Sequence, residues 1–280
     1  MQISDRTDSQ SKSGKEYKKL RVIMKEMLTE DICSLWLDAP YADRARAGQF
    51  VSFYPDDESR LLPRPISICE RNPRLGALRF VFRIVGEGTR QLACLRSGDS
   101  VLTLGPLGNG YPLEAANGKR VLLVGGGLGI PPLLGLAKDL LGEPCGTEGM
   151  MRPKAVTVAA GYRSDPYLLA DLQETAAVFF ATEDGSSGIA GNVLDAARLN
   201  PHPVDVIMSC GPKPMLRAVA RYAEELQIPC YISLEERMAC GIGACLACTC
   251  KTTAEDPHYH VKKKRVCKDG PVFSADEVVL

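Results

Sequence analysis

Three cysteines fall close together in Cys240-Gly241-Ile242-Gly243-Ala244-Cys245-Leu246-Ala247-Cys248, and a fourth, Cys267, follows later. The C-x4-C-x2-C spacing with one late cysteine is that of thiolates holding a [2Fe–2S] cluster. Gly241 and Gly243 suit such a loop, because a chain wrapped around sulfur must bring its N–H groups close and a Cβ obstructs this. The competing chemistry is a four-cysteine structural zinc site. Zinc sites favour two short C-x2–4-C pairs, whereas here three cysteines are bunched and one stands alone. Cys250, two residues past Cys248, reads as a spare thiol, since the third ligand is already supplied.

Three further stretches could seat phosphate. Gly125-Gly126-Gly127-Leu128-Gly129 follows a strand-like run and opens a helix-like one, where backbone amides and a helix dipole can hold a pyrophosphate. It is not G-x-G-x-x-G, because Ile130 stands where the last glycine should be. Tight strand–helix packing is its plainer reading. In Arg64-Pro65-Ile66-Ser67 the arginine fork suits phosphate and the serine hydroxyl a ring nitrogen. Taken alone, these four residues read sooner as an ordinary surface arginine before a proline. Gly86-Glu87-Gly88-Thr89 reads as a helix N-terminus, either a phosphate seat or a turn with a threonine cap. Arg163 and Ser164, after the second strand of the same region, suit a 2′-phosphate or a helix cap, so NAD and NADP both stay open.

The elements that must position these residues change character along the chain. Residues 1–16 are polar and charged, and read as a disordered tail with no apolar leader. From 17 to 115 short strands separated by turns predict a small barrel or sandwich. Leu78, Phe80, Phe82 and Ile84 alternate with Arg79, Val81, Arg83 and Val85. Ile32–Leu37, Phe50–Tyr54, Pro65–Cys69 and Ser100–Leu104 are shorter strand candidates, and Arg90–Leu95 a short helix. From 116 to 229 strands and helices alternate. Arg120–Val124 is nearly all apolar, as a parallel strand buried on both faces should be, and Ile130–Leu141 reads as a helix. Ala155–Ala160, Ala177–Ala181 and Val204–Ser209 are strand candidates between helices at Pro166–Thr175, Asn192–Arg198 and Pro214–Leu226. Residues 230–280 hold the strand candidate Cys230–Leu234 and the cysteines, and are short enough to need a bound group for stability. The fold class is therefore mixed β and α/β.

Lys plus Arg and Asp plus Glu both number 34, so charge gives no reason to expect nucleic acid. The longest apolar run, Val121–Ala137, contains five glycines and two prolines and is a poor membrane span. Eleven cysteines without a leader fit a reduced, cytoplasmic setting.

Taken in order, these stretches resemble the ferredoxin-reductase superfamily: a flavin-binding antiparallel β-barrel with R-P-x-S, then a nicotinamide-nucleotide α/β domain opening with G-G-G-x-G. The resemblance implies FAD contacts from Arg64, Pro65, Ile66, Ser67, Phe82, Arg83, Ile84, Gly88 and Thr89. It implies NAD contacts from Gly125, Gly126, Gly127, Gly129, Cys210 and Gly211, with Cys210 a wall beside the nicotinamide and Glu235 near the flavin. It also accounts for the missing G-x-G-x-x-G. Within the superfamily, Ile232–Cys248, Arg265–Phe273 and Leu104-Gly105-Pro106-Leu107-Gly108-Asn109-Gly110 are similar to electron-transfer subunits of NAD-dependent dihydroorotate dehydrogenases. That family implies [2Fe–2S] ligation by Cys240, Cys245, Cys248 and Cys267, and a small C-terminal cluster domain. It further implies a separate FMN catalytic subunit, two of each in a heterotetramer, and a place in pyrimidine biosynthesis: electrons from dihydroorotate would pass through cluster and FAD to NAD. Related small subunits of NADH-dependent ferredoxin:NADP or sulfide-type oxidoreductases share the build. A zinc-stabilised binding module is the reading from another class. The run Lys262-Lys263-Lys264-Arg265, between the last two cluster cysteines, is expected to be a solvated loop or to meet an acidic partner.

Overall fold

The computed structural model describes residues 15–55, 62–142, 151–255 and 260–280. The expected tail therefore lies almost wholly outside the described residues.

Six strands close into an antiparallel barrel in the order β1-β2-β5-β4-β3-β6. They are β1 (Glu16–Met27), β2 (Ile32–Asp38), β3 (Phe50–Tyr54), β4 (Arg64–Asn72), β5 (Ala77–Arg83) and β6 (Ser100–Leu107), with helix α1 (Glu87–Cys94) before the last. Closure removes the exposed edges that a sheet of this size would otherwise present. Leu20, Leu35, Leu37, Val51, Phe53, Ile68, Leu78 and Phe80 fill its interior. The barrel decides between the two architectures left open by the strand pattern. Strand β1 is the element the pattern passed over: only Leu20 and Val22 of its twelve residues are buried, so its apolar signal is faint.

The second layer is a seven-stranded sheet ordered β10-β9-β8-β7-β11-β12-β15. Its members are β7 (Arg120–Gly126), β8 (Ala155–Tyr162), β9 (Ala177–Thr182), β10 (Ile189–Ala190), β11 (Val206–Cys210), β12 (Cys230–Ser233) and β15 (Val272–Ser274). All pairs are parallel except β12 with β15. The helices are α2 (Ile130–Leu141), α3 (Leu169–Thr175), α4 (Val193–Ala197) and α5 (Lys213–Leu226). Apolar residues of α2 and α3 pack on one face and those of α4 and α5 on the other, as expected of a doubly wound sheet. The α2 face is also shared with Ile32, Cys69 and Val81 of the barrel, so α2 is the common wall of the two layers.

Strand β12 hydrogen-bonds to β11, and β15 to β12. The chain after 230 is thereby sewn into the nucleotide-type sheet at both ends of the cysteine region. A small hairpin, β13 (Thr249–Lys251) with β14 (Lys263–Arg265), lies between.

Candidate functional site: a cysteine loop between a barrel and a nucleotide-type sheet

The four expected ligands gather in two pairs. Cys240 interacts with Cys245, and Cys248 with Cys267, while Cys267 also feels the charge of Cys240. A two-iron cluster needs thiolates in this arrangement, two for each metal. Partial burial works against ionising Cys240. Donation from the N–H groups of Cys245, Ile242 and Ala244 outweighs it and lowers this thiol from 9.0 to about 6. The Ala244 and Cys245 nitrogens lie 3.3 and 3.4 Å from its sulfur. Cys267 is the opposite case: burial and the neighbouring Cys248 sulfur push it up to about 12. Its own N–H donates to Cys248 Sγ at 3.4 Å. Backbone donors on sulfur and close-packed thiols that cannot all ionise without added positive charge are the donor chemistry an iron–sulfur cluster requires. Among the described residues no three His, Cys, Asp or Glu side chains are placed to hold a single metal ion. Cys250 points its thiol elsewhere, donating to the Lys264 carbonyl at 3.5 Å.

The basic run is only partly a solvated loop. Arg265 donates to both carboxylate oxygens of Asp269 at 3.0 Å and to the Gly243 carbonyl at 3.3 Å. Lys264 pairs with Glu277. Arg265 therefore braces the cysteine loop against the segment after Cys267, while Lys264 ties the small hairpin to the chain's last residues. Asn109, from the turn after β6, clamps the same segment. Its side-chain nitrogen donates to the Asp269 and Val272 carbonyls at 3.2 and 3.0 Å, and its oxygen accepts from the Val272 N–H at 3.1 Å.

On the barrel, Arg64 and α1 come together as the phosphate reading requires. A Cβ on Gly88 would stand 2.5–2.8 Å from the Arg64 guanidinium, so the arginine packs directly on the glycine and any larger residue would make it shift. Thr89 Oγ1 accepts from the Val85 and Gly86 N–H groups at 3.0 and 3.2 Å and donates to the Gly86 carbonyl at 2.9 Å. Its hydroxyl is therefore engaged in shaping the turn. The free N–H groups of the first turn of α1 are left beside a guanidinium fork, a fit for pyrophosphate. Pro65 and Ser67 lie on β4 directly opposite Ser52 and Phe50 of β3, hence on one face. Ile66 is buried with the barrel core, and so is Phe82. Arg83 pairs with Asp31 at 3.1 Å, and Ile84 lies half-buried against the barrel core.

In the sheet, strand order reverses at β7, which lies between β8 and β11. Ligands of such sheets sit beyond the carboxyl ends of strands at this switch point. Gly125–Gly129 and Cys210-Gly211 end the two strands there. A Cβ on Gly129 would fall 2.0 Å from the Cys210 carbonyl oxygen, so the two turns touch through backbone alone. Gly127 has φ +52° and open space where its Cβ would be. Pro131 and Pro132 open α2 without N–H groups, so anion donors must come from the glycine turn itself. The Cys210 thiol is pushed up to about 12 by burial, although a Ser233 hydrogen bond opposes this. It is a neutral wall. Glu235 is exposed and near enough to Cys210 to act on it.

Residues 235–279 match the family model described as the iron-sulfur cluster binding domain of dihydroorotate dehydrogenase B. The dihydroorotate dehydrogenase B (NAD(+)) electron transfer subunit of Bacillus caldolyticus is 42% identical over 94% of this chain and 98% of its own. The chain belongs to the family of dihydroorotate dehydrogenase B electron transfer subunits. The member from Listeria innocua is 39% identical over 93% of this chain and 98% of its own. Among solved structures, a chain of the NADH-dependent reduced ferredoxin-NADP oxidoreductase superposes with a TM-score of 0.77 at 28% identity, covering 95% of this electron transfer subunit and 91% of itself. A ferredoxin reductase of carbazole 1,9a-dioxygenase, at 24% identity and TM-score 0.60, shares the fold. This family member is thus an oxidoreductase subunit with a ferredoxin-reductase-like body and an iron–sulfur domain.

Proposed function

We propose that this subunit carries electrons from dihydroorotate, oxidised on a separate FMN-bearing subunit, to NAD. The pairing of Cys240 with Cys245 and of Cys248 with Cys267 beside the barrel carries the reading, together with full-length likeness to the family. When bound, a [2Fe–2S] cluster supplies one-electron transfer, FAD the change from one- to two-electron chemistry, and NAD the hydride acceptor.

The chain's residues do the holding. Cys240, Cys245, Cys248 and Cys267 ligate iron. Arg64 and the first turn of α1, opened by Gly88 and shaped by Thr89, hold the FAD pyrophosphate, while Pro65 and Ser67 line the face that receives its ring. Gly125, Gly126, Gly127 and Gly129 bring backbone to the NAD pyrophosphate, and Cys210 and Gly211 bound the nicotinamide pocket without offering a nucleophile. The working division is 17–115 for FAD, 116–229 for NAD and 230–280 for the cluster. Cys245 is exposed, between the exposed Ile242 and Leu246, and this apolar tip is the face offered to the FMN subunit. Assembly is two of each subunit, in the cytoplasm. No helix among the described residues is long and apolar enough to cross a membrane.

The test is anaerobic co-purification with the partner, followed by assay of dihydroorotate-dependent NAD reduction. Activity that co-elutes with an FMN protein supports the proposal. A coloured protein that oxidises NADH but ignores dihydroorotate would move the assignment to a ferredoxin-type partner.

A further inference from the structure

The outer face of β3 is where the barrel meets the cysteine loop. Strand alternation sends Val51 and Phe53 into the barrel core and leaves Phe50, Ser52 and Tyr54 on the opposite side. Phe50 shares a buried cluster with Leu107, Cys248, Cys267 and Phe273, so this side faces the cysteine region. Ser52, between Phe50 and Tyr54, is fully buried. Its Oγ has no hydrogen-bond partner among the described residues. A Cβ on Gly241 would stand 3.0 Å from that oxygen and 3.3 Å from Leu107, and Gly241 itself has φ +67°. The hydroxyl therefore abuts the cysteine loop at Gly241, the residue after Cys240.

A buried hydroxyl without a partner is destabilising, so its persistence needs an acceptor that protein atoms alone do not supply. Ser52 lies opposite Pro65 on β4 and Leu104 on β6, and neither side chain can accept a hydrogen bond. What a loaded cysteine loop adds at this place is sulfur carrying negative charge.

We propose that Ser52 donates a hydrogen bond to the iron–sulfur cluster at its Cys240 end and thereby raises the cluster's reduction potential. The inference rests on the assignment of Cys240 as a ligand. Reduction adds negative charge to the sulfurs, so a donor aimed at them stabilises the reduced form more than the oxidised one. Ser52 is directly opposite Pro65 in the proposed flavin motif, so the donor lies on the face where cluster and flavin would meet. It would tune the potential difference between them without touching substrate.

The experiment is a redox titration of the anaerobically purified complex, followed by electron paramagnetic resonance, for the parent protein and Ser52→Ala. Iron, sulfide and FAD contents should stay at parental values. The reduced-to-oxidised ratio of the cluster at a fixed poise should fall about three- to tenfold, the size of one lost hydrogen bond. Ser52→Thr, which keeps the hydroxyl, should titrate as the parent does. An unshifted cluster in a fully loaded Ser52→Ala protein overturns the inference, as does a shift confined to the flavin. If Ser52→Ala fails to retain its cluster, Ser52→Cys, of similar size but a weak donor, decides in its place: a lowered potential supports the inference and a parental one overturns it. A parent protein without iron and sulfide would instead overturn the cysteine assignment, and the inference with it.

Discussion

Cys240 and Cys267 are opposite thiols in one site, the first lowered to about 6 by backbone donors and the second raised to about 12 by burial. The contrast comes from where each lies: Cys240 in an amide-lined loop, Cys267 wedged beside Cys248. Replacing any of Cys240, Cys245, Cys248 or Cys267 by serine should abolish stoichiometric iron and sulfide in the purified protein. Cys250→Ser should retain both, because that thiol is already turned to the Lys264 carbonyl. For the flavin, Arg64→Ala removes a charge-assisted fork and should weaken FAD retention roughly 10- to 100-fold, measured by equilibrium dialysis. Gly88→Ala should produce a smaller loss, because its Cβ makes the same guanidinium shift without removing it. The double variant should then lose no more than Arg64→Ala alone, since both changes act on one interaction. The Arg64 motif and the cysteine spacing were legible in the chain because each is a local pattern. The contact of Arg64 with Gly88 was not, because they stand 24 positions apart and only the barrel brings them together.

The cysteine loop is an element with little regular structure, held by side chains reaching in from elsewhere. Arg265 spans Asp269 and Gly243, and Asn109 grips Asp269 and Val272. Asn109→Ala leaves the part-buried Val272 N–H and carbonyl without these partners. It should cost about 1–3 kcal/mol, seen as faster amide exchange in residues 266–273. Burial alone would raise Asp269, but hydrogen bonds from Arg265 outweigh it and leave the carboxyl below its ordinary 3.8. A depressed carboxylate contributes stability that is complete above the unfolded value. That contribution is lost as pH falls through the lower native one. Cluster retention should accordingly decline below about pH 4, where unfolded carboxyls begin to protonate, and Asp269→Asn should flatten that part of the profile. In the sheet, Gly129→Ala drives a Cβ into the Cys210 backbone and should destabilise the junction of β7 and β11 rather than merely weaken NAD. Thermal unfolding without ligand distinguishes the two.

At the scale of the molecule, the barrel and the nucleotide-type sheet are joined through charge as well as apolar packing. Arg79 on β5 donates to Asp171 on α3 at 2.9 Å, lies 3.5 Å from Glu70, and covers the Trp36 ring. Lys138 and Arg71 make the pairs Lys138–Glu70 and Arg71–Asp139 across the same boundary, at 2.7 and 2.9 Å. Arg79→Ala removes a buried guanidinium that joins Asp171, Ser34 and Glu70, although Glu70 keeps Lys138, and should cost about 1–3 kcal/mol in urea unfolding. The alternation in 78–85 placed Arg79 on a strand but offered no hint that it is buried, since its partners come from β2, α3 and β4. What the sequence determined by itself was the succession of elements and the identity of the chemical groups. Apolar periodicity, glycine turns and cysteine spacing act over a few residues and are written in them directly. Strand candidates such as Phe50–Tyr54 and the helix Ile130–Leu141 match the observed bounds for that reason. Tertiary structure alone decided closure of the barrel, the return of β15 into the sheet, the bracing of the cysteine loop by Asn109 and Arg265, and the meeting of Ser52 with Gly241. Each joins residues far apart in the chain, and such contacts depend on strand order and register, which no local pattern encodes.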